Sequence, residues 1–178
     1  MIITGGKYRS RKLTSPSEKI VKPTLSKVRE SVFNILSSRI DFDGKSFLDL
    51  FAGSGIMGFE AISRGFSFLT AIDNNANNIA LLKDNAKKLG IEGFFIKNNA
   101  LNFLKTCEEK FDIIYIDPPY GSDLVEQSLN LIFNNRVLTD NGIIIVETQK
   151  NKSIDSAAFK VIKEAVYGFC KLTFLTQK

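Results

Sequence analysis

Asp117-Pro118-Pro119-Tyr120 stands directly after an apolar run, Ile113-Ile114-Tyr115-Ile116, that reads as a strand. Two successive prolines fix φ and remove two backbone N–H donors. What remains at the strand end is a set of acceptors, the Asp117 carboxylate and rigidly aimed carbonyls, and such a site suits an NH₂ group. Asp117 can accept one hydrogen and the Pro118 carbonyl the other, while Pro119 keeps the turn rigid. Tyr120 can stack on a base plane, as aromatic side chains do against extruded bases. The amine of a nucleic-acid base is a weak nucleophile, because its lone pair is delocalised into the ring. Two hydrogen bonds pull it towards a pyramidal geometry and aim the lone pair. Methyl transfer is then an in-line displacement, helped mainly by positioning and preorganised charge. Positive charge develops on the nitrogen and Asp117 offsets it; the proton leaves to Asp117 or to water. The scheme needs no metal.

A second set of residues is suited to holding a methyl donor. In Asp49-Leu50-Phe51-Ala52-Gly53-Ser54-Gly55-Ile56-Met57-Gly58, the glycines match the spacing GxGxxG. Glycine lets a backbone turn sharply and approach a ligand closely, as loops that bind adenosine-containing cofactors require. Phe51, Ala52, Gly53, Ser54 and Gly55 are therefore candidate cofactor contacts. Asp73, at the end of the next apolar run, can accept the two hydroxyls of a ribose. That fits a dinucleotide and S-adenosylmethionine equally well. Asp49 discriminates better. A carboxylate beside the loop repels a pyrophosphate but suits an ammonium and a sulfonium, so the methyl donor is favoured over a dinucleotide.

Composition narrows the alternatives. The 178 residues include no histidine, which removes the commonest general base and metal ligand and every Ser-His or Cys-His scheme. Cys107 and Cys170 form no CxxC pair or metal-spaced cluster and read as reduced thiols. Neither lies in a loop where a carbon-5 pyrimidine methyltransferase would carry its nucleophile. The length fits about one domain, and 44% hydrophobic residues permit a sizeable core. No apolar run approaches the ~20 residues of a membrane helix. Met1–Lys7 lacks a signal-peptide pattern, so a soluble, cytoplasmic protein is expected; it is further expected to be a monomer.

Charge points to a polyanionic partner. The net charge is +5, and residues 1–30 hold eight lysines and arginines against Glu18 and Glu30. The rest of the chain carries 16 basic and 17 acidic groups. A basic N-terminal segment on a near-neutral body suggests phosphate binding. Lys7, Arg9, Arg11, Lys12, Lys22 and Arg29 are the candidate nucleic-acid contacts.

Elements must hold these groups in place. From residue 46, strand-like runs (Ser46–Leu50, Phe68–Asp73, Gly93–Lys97, Asp112–Asp117, Gly142–Glu147) alternate with helical segments near 56–65, 75–89, 100–107 and 123–135. Short, nearly continuous apolar strands suit a sheet covered on both faces. Alternation predicts an α/β fold with a mostly parallel, doubly wound sheet. The tail, Phe159–Ile162 and Cys170–Leu175, reads as a final pair of strands, antiparallel at one edge. Ahead of this core, a short β-hairpin is expected over residues 1–13, a loop to residue 24, and a helix over 25–39. The expected division is a basic RNA-contact extension, residues 1–24, and a catalytic domain, residues 25–178.

Taken in order, Gly6-Lys7-Tyr8-Arg9-Ser10-Arg11-Lys12-Leu13, Lys22-Pro23-Thr24, Val28-Arg29-Glu30-Ser31-Val32-Phe33-Asn34, the glycine loop and Asp117-Pro-Pro-Tyr120 resemble the bacterial 16S rRNA (guanine(966)-N(2))-methyltransferases. The resemblance covers nearly the whole chain, and its N-terminal part is the more specific. It implies a Rossmann-like methyltransferase core, S-adenosylmethionine as donor, and 16S rRNA in the small ribosomal subunit or its assembly intermediate as substrate. It implies that Asp49, Gly53 and Gly55 line the methionine part and that Asp73 meets the ribose. Asn99-Ala100 matches the family's polar-then-small step beside the adenine. Lys22 departs from the family's usual arginine, which keeps the charge but gives up bidentate phosphate binding. From the residues alone, guanine against adenine and RNA against DNA stay open. A DNA adenine amino-methyltransferase would use the same tetrapeptide, although the chain lacks room for a target-recognition domain. A non-catalytic RNA-binding assembly factor is a further alternative, which the intact Asp117 and glycine loop disfavour.

Overall fold

The computed structural model describes residues 1–15, 26–119, 121–155 and 157–178. Lys22 and Tyr120, both expected above to contact substrate, lie outside the described residues. The chain forms α1 (Ser26–Ser37), β1 (Ser46–Asp49), α2 (Ile56–Ser63), β2 (Phe68–Asp73), α3 (Ala76–Leu89) and β3 (Phe94–Lys97). It continues with α4 (Ala100–Thr106), β4 (Phe111–Ile116), α5 (Leu124–Asn134), β5 (Leu138–Gln149), β6 (Phe159–Tyr167) and β7 (Cys170–Gln177). Among the described residues no helix is long and apolar enough to cross a membrane.

The seven strands form one sheet in the order β3-β2-β1-β4-β5-β7-β6. β1 to β5 are mutually parallel, and β7 is antiparallel to both neighbours. Side chains alternate faces along each strand, so each strand feeds two cores. Ile113 and Tyr115 of β4 pack with α1, α2 and α3; Ile114 and Ile116 pack with α4 and α5. Strand order reverses between β1 and β4, the neighbours that carry Asp49 and Asp117 at their carboxyl ends. Open α/β sheets bind ligands at such a switch point.

The final pair of strands, β6 and β7, is antiparallel and lies at one edge of the sheet, as expected. β7 lies inside the sheet and β6 takes the edge. Burial explains the order. Leu172 to Leu175 is buried throughout, as an interior strand requires, whereas β6 exposes Lys160, Lys163 and Glu164. Charged residues of this kind protect an edge from further pairing.

The N-terminal hairpin is reduced to one antiparallel bridge, Ile2 to Lys12, closed by a wide loop. Its apolar residues join the core beneath α1, where Ile3 is fully buried and Leu13 nearly so. The loop lies against α2 so closely that a Cβ on Gly6 would fall 1.7 Å from the Ser63 carbonyl oxygen.

Candidate functional site

A cavity of about 420 Å³ opens at the carboxyl ends of β1, β2 and β4. This is within the usual size for a small-molecule site. Asp49, Phe51, Ala52, Gly53 and Ser54 form one wall. Asp73 and Asn99-Ala100 form another, and Asp117-Pro118-Pro119 a third. Two motifs 64 positions apart in the sequence, at Gly53 and Asp117, thus share one cavity.

Asp73 organises the glycine loop. One carboxylate oxygen accepts from the Gly53 N–H at 2.8 Å and from Asn78 Nδ2 at 3.2 Å, and the other accepts from the Asn75 N–H at 2.7 Å. Three bonds leave acceptor capacity on a carboxylate for a ligand hydroxyl. Asn99 lines the cavity while its side chain caps α4, accepting from the N–H groups of Leu101 and Asn102. The backbone around Ala100 is fixed by that cap.

Asp49 is only 1% exposed. Its carboxylate accepts from the Gly58 N–H at 3.3 Å, inside the first turn of α2. Burial pushes its pKa to about 7, Asp73 adds to the rise, and the Gly58 bond acts against it. A buried acid facing a cavity is costly to ionise alone and gains from a cation. The wall is therefore chemically matched to an ammonium or sulfonium, and the cavity has room for an adenosine.

At the opposite wall, Asp117 is half-buried, Pro118 is buried and Pro119 is exposed. The strand beneath is braced by Tyr115, whose phenol donates to Glu147 Oε2 at 2.6 Å. Burial first, then Glu147 and Asp117, hold the Tyr115 pKa well above its ordinary value. The phenol stays neutral and keeps donating.

Several cavity residues escaped the sequence reading: Tyr115, Asn74, Asn75, Asn78, Asn98, Met57 and Leu124. The asparagines directly after Asp73 were the available signal, because Asn caps helices and tolerates tight turns. Tyr115 gave none, since a tyrosine in an apolar strand reads as core.

Two expected contacts sit elsewhere. Gly55 does not line the cavity. It starts α2 at φ 73°, and a Cβ there would stand 1.9 Å from Leu82 Cδ2. Its bareness serves the packing of the loop on α3. Arg29 is 4% exposed and points inward, so a surface phosphate contact is corrected to a structural one. Its guanidinium donates to the Ile2 carbonyl at 2.8 Å and lies 3.8 Å from Glu60, which also receives Arg64 at 2.8 Å. The buried Glu60, on another helix, draws it in.

Lys7, Arg9, Arg11 and Lys12 are exposed, but their segment docks on the far end of α2. The Lys7 N–H donates to the Ser63 carbonyl at 2.6 Å and the Tyr8 N–H to Ser63 Oγ at 2.9 Å. α2 leaves the glycine loop and runs back towards the start of β2, so this segment lies away from the cavity.

Comparison with known proteins gives a consistent result. The family model described as Conserved hypothetical protein 95 matches residues 1–176. The chain is similar to Ribosomal RNA small subunit methyltransferase D of Buchnera aphidicola, with 38% identity over 85% of this chain and 80% of the relative. It is similar to the protein of the same name from Escherichia coli K12, with 34% identity over 93% of this chain and 84% of the relative. Among solved structures, the Escherichia coli protein yhhF superposes with a TM-score of 0.88 and 31% identity, over 100% of this chain and 98% of that one.

Proposed function

The chain belongs to the Conserved hypothetical protein 95 family, and from that membership and the site we propose that it methylates 16S ribosomal RNA. The methyl group passes from S-adenosylmethionine to the exocyclic 2-amino group of a guanine. The small-subunit methyltransferase names of its relatives support the substrate class. The observation that carries the chemistry is the shared cavity, with a buried carboxylate on one wall and an acceptor-only turn on the other.

When bound, S-adenosylmethionine supplies an electrophilic methyl group on a sulfonium. Asp49 and the Gly53 backbone would hold the cationic amino-acid end, Asp73 the ribose, and Asn99-Ala100 the adenine edge. Asp117 and the Pro118 carbonyl accept the two hydrogens of the target amine and orient its lone pair. Pro119 restricts the rotation that would turn that carbonyl away. Asp117 then offsets the charge that develops on nitrogen. Tyr120 provides the stacking face. The substrate is the small subunit or its assembly intermediate, met in the cytoplasm by a monomer.

The test is methyl transfer from labelled donor to small-subunit particles and to duplex DNA, with nucleoside analysis of the product. N2-methylguanosine in 16S rRNA is expected. Label appearing only in DNA, or only on adenine, refutes the proposal. Asp117→Ala should abolish transfer while donor affinity stays within a few-fold; unchanged turnover removes Asp117 from its role.

A further inference from the structure

Phe169, in the turn between β6 and β7, is 92% exposed, the most of any large apolar side chain among the described residues. Its position follows from strand register. β4 and β5 run together to Ile116 and Val146, and β5 continues to Gln149, which pairs with Cys170. The turn therefore projects beyond the carboxyl end of the sheet, the end that holds Asp117. Two strand spacings across and about three residues along place it roughly 14 Å from Asp117.

The turn is held firmly. The Lys150 N–H donates to the Phe169 carbonyl at 2.9 Å. Tyr167, one residue before Gly168, hydrogen-bonds through its hydroxyl to Ser31 of α1. An exposed ring on a fixed turn loses little conformational freedom when it is covered, unlike a ring on a loose loop.

Its surroundings are cationic. Lys150 is exposed at the end of β5. The Lys152 ammonium donates to the Ser122 carbonyl at 2.9 Å and lies 3.4 Å from Glu126, tying this rim to the loop that follows Asp117-Pro118-Pro119. On the other side, a groove between α1 and β6 is lined by Lys27, Arg39 and Lys163 against Glu30. A lone aromatic ring among lysines fits a stacked base with its phosphates. Among the described residues, the one large apolar side chain exposed close to it in sequence, Val166 of β6, adds little against the wider apolar patch a protein partner would call for. The basic N-terminal segment cannot serve here, because it docks at the opposite end of α2.

We propose that the β6–β7 turn is a stacking platform for a single-stranded nucleobase near the target guanine, with the lysines around it receiving the backbone. This rests on the reading of the chain as an RNA methyltransferase.

The chain contains no tryptophan, so Phe169→Trp installs a single fluorophore at the turn. Binding of a short single-stranded RNA should quench it. Phe169→Ala should weaken that RNA about tenfold and raise KM for small-subunit particles similarly, with kcat within twofold and donor affinity and melting temperature unchanged. Phe169→Trp should keep the wild-type KM. Unquenched tryptophan in an RNA complex, or an unchanged KM for Phe169→Ala, overturns the platform while leaving the methyltransferase reading intact. Loss of particle binding without loss of RNA-oligonucleotide binding assigns the turn to a protein contact and also overturns it. A wild-type chain that neither binds nor methylates RNA overturns both.

Discussion

Asp49→Asn isolates one carboxylate whose cost and use are both readable. Burial raises the Asp49 carboxyl from an ordinary 3.8 to about 7. The folded chain thus holds this proton more tightly than the unfolded chain does. The stability it contributes is whole below about 3.8 and is lost as pH rises through about 7. At about 1.36 kcal/mol per pKa unit, the ionised group costs the donor-free protein up to about 4 kcal/mol at pH ~8. Asparagine removes that charge and keeps the shape, although its NH₂ faces the cavity and takes back about 1–3 kcal/mol. Donor-free Asp49→Asn should therefore be more stable than wild type by about 1–3 kcal/mol at pH ~8, and no more stable at pH ~4. Urea unfolding at the two pH values measures the difference. An equal difference at both refutes the assignment of the cost to ionisation.

The same charge should govern donor binding. A cation pairs with the ionised form, so S-adenosylmethionine affinity should fall about tenfold per pH unit below pH ~7. Titration calorimetry in buffers of different ionisation enthalpy should register proton release on binding near neutrality. Asp49→Asn should weaken binding by about 2–5 kcal/mol and abolish the pH dependence. A variant that binds weakly but keeps the wild-type pH profile would show that another group titrates.

Other substitutions test the scaffold and the RNA face. Glu60→Gln leaves Arg29 and Arg64 with a neutral partner in a buried setting and should cost about 3–5 kcal/mol of stability, read by thermal melting. Gly55→Ala forces a Cβ to within 1.9 Å of Leu82 Cδ2 at φ 73° and should cost about 3 kcal/mol from strain and overpacking together. Neutralising Lys7, Arg9, Arg11 and Lys12 should lower the slope of log affinity against log salt by about 2–4 if all of them meet phosphate; an unaltered slope in filter binding removes this face from the RNA interface.

Patterns set by local chemistry were legible in the sequence. The glycine loop, the acceptor turn and the alternation of β1 to β5 with their helices follow from residue types over a few positions. The helix expected over 75–89 matches α3, which Asn75 caps at its start and Gly90 ends. What depends on distant partners was not legible. Nothing local to α1 says that Arg29 turns inward, because Glu60 lies on another helix. Which of β6 and β7 takes the edge follows from which strand is apolar on both faces, and only the assembled sheet shows the face that needs cover. Gly55 matched a ligand-binding pattern, yet its neighbour is Leu82 of α3.

α2 links these observations. Its first turn carries Gly58, whose N–H steadies the Asp49 carboxylate. Two residues on, Glu60 accepts the Thr4 N–H at 2.9 Å and the Thr4 hydroxyl at 2.7 Å, and Ser63 receives Tyr8 and donates to Gly5. One short helix therefore supports the cofactor wall at one end and the basic segment at the other. The N-terminal residues are part of the scaffold of the cavity, since removing them would strip Glu60 of two donors and take Ile3 out of the core. The segment that carries Lys7 to Lys12 bears on the same helix that steadies Asp49. One helix thus fixes the N-terminal segment at its last turn relative to the cavity wall at its first.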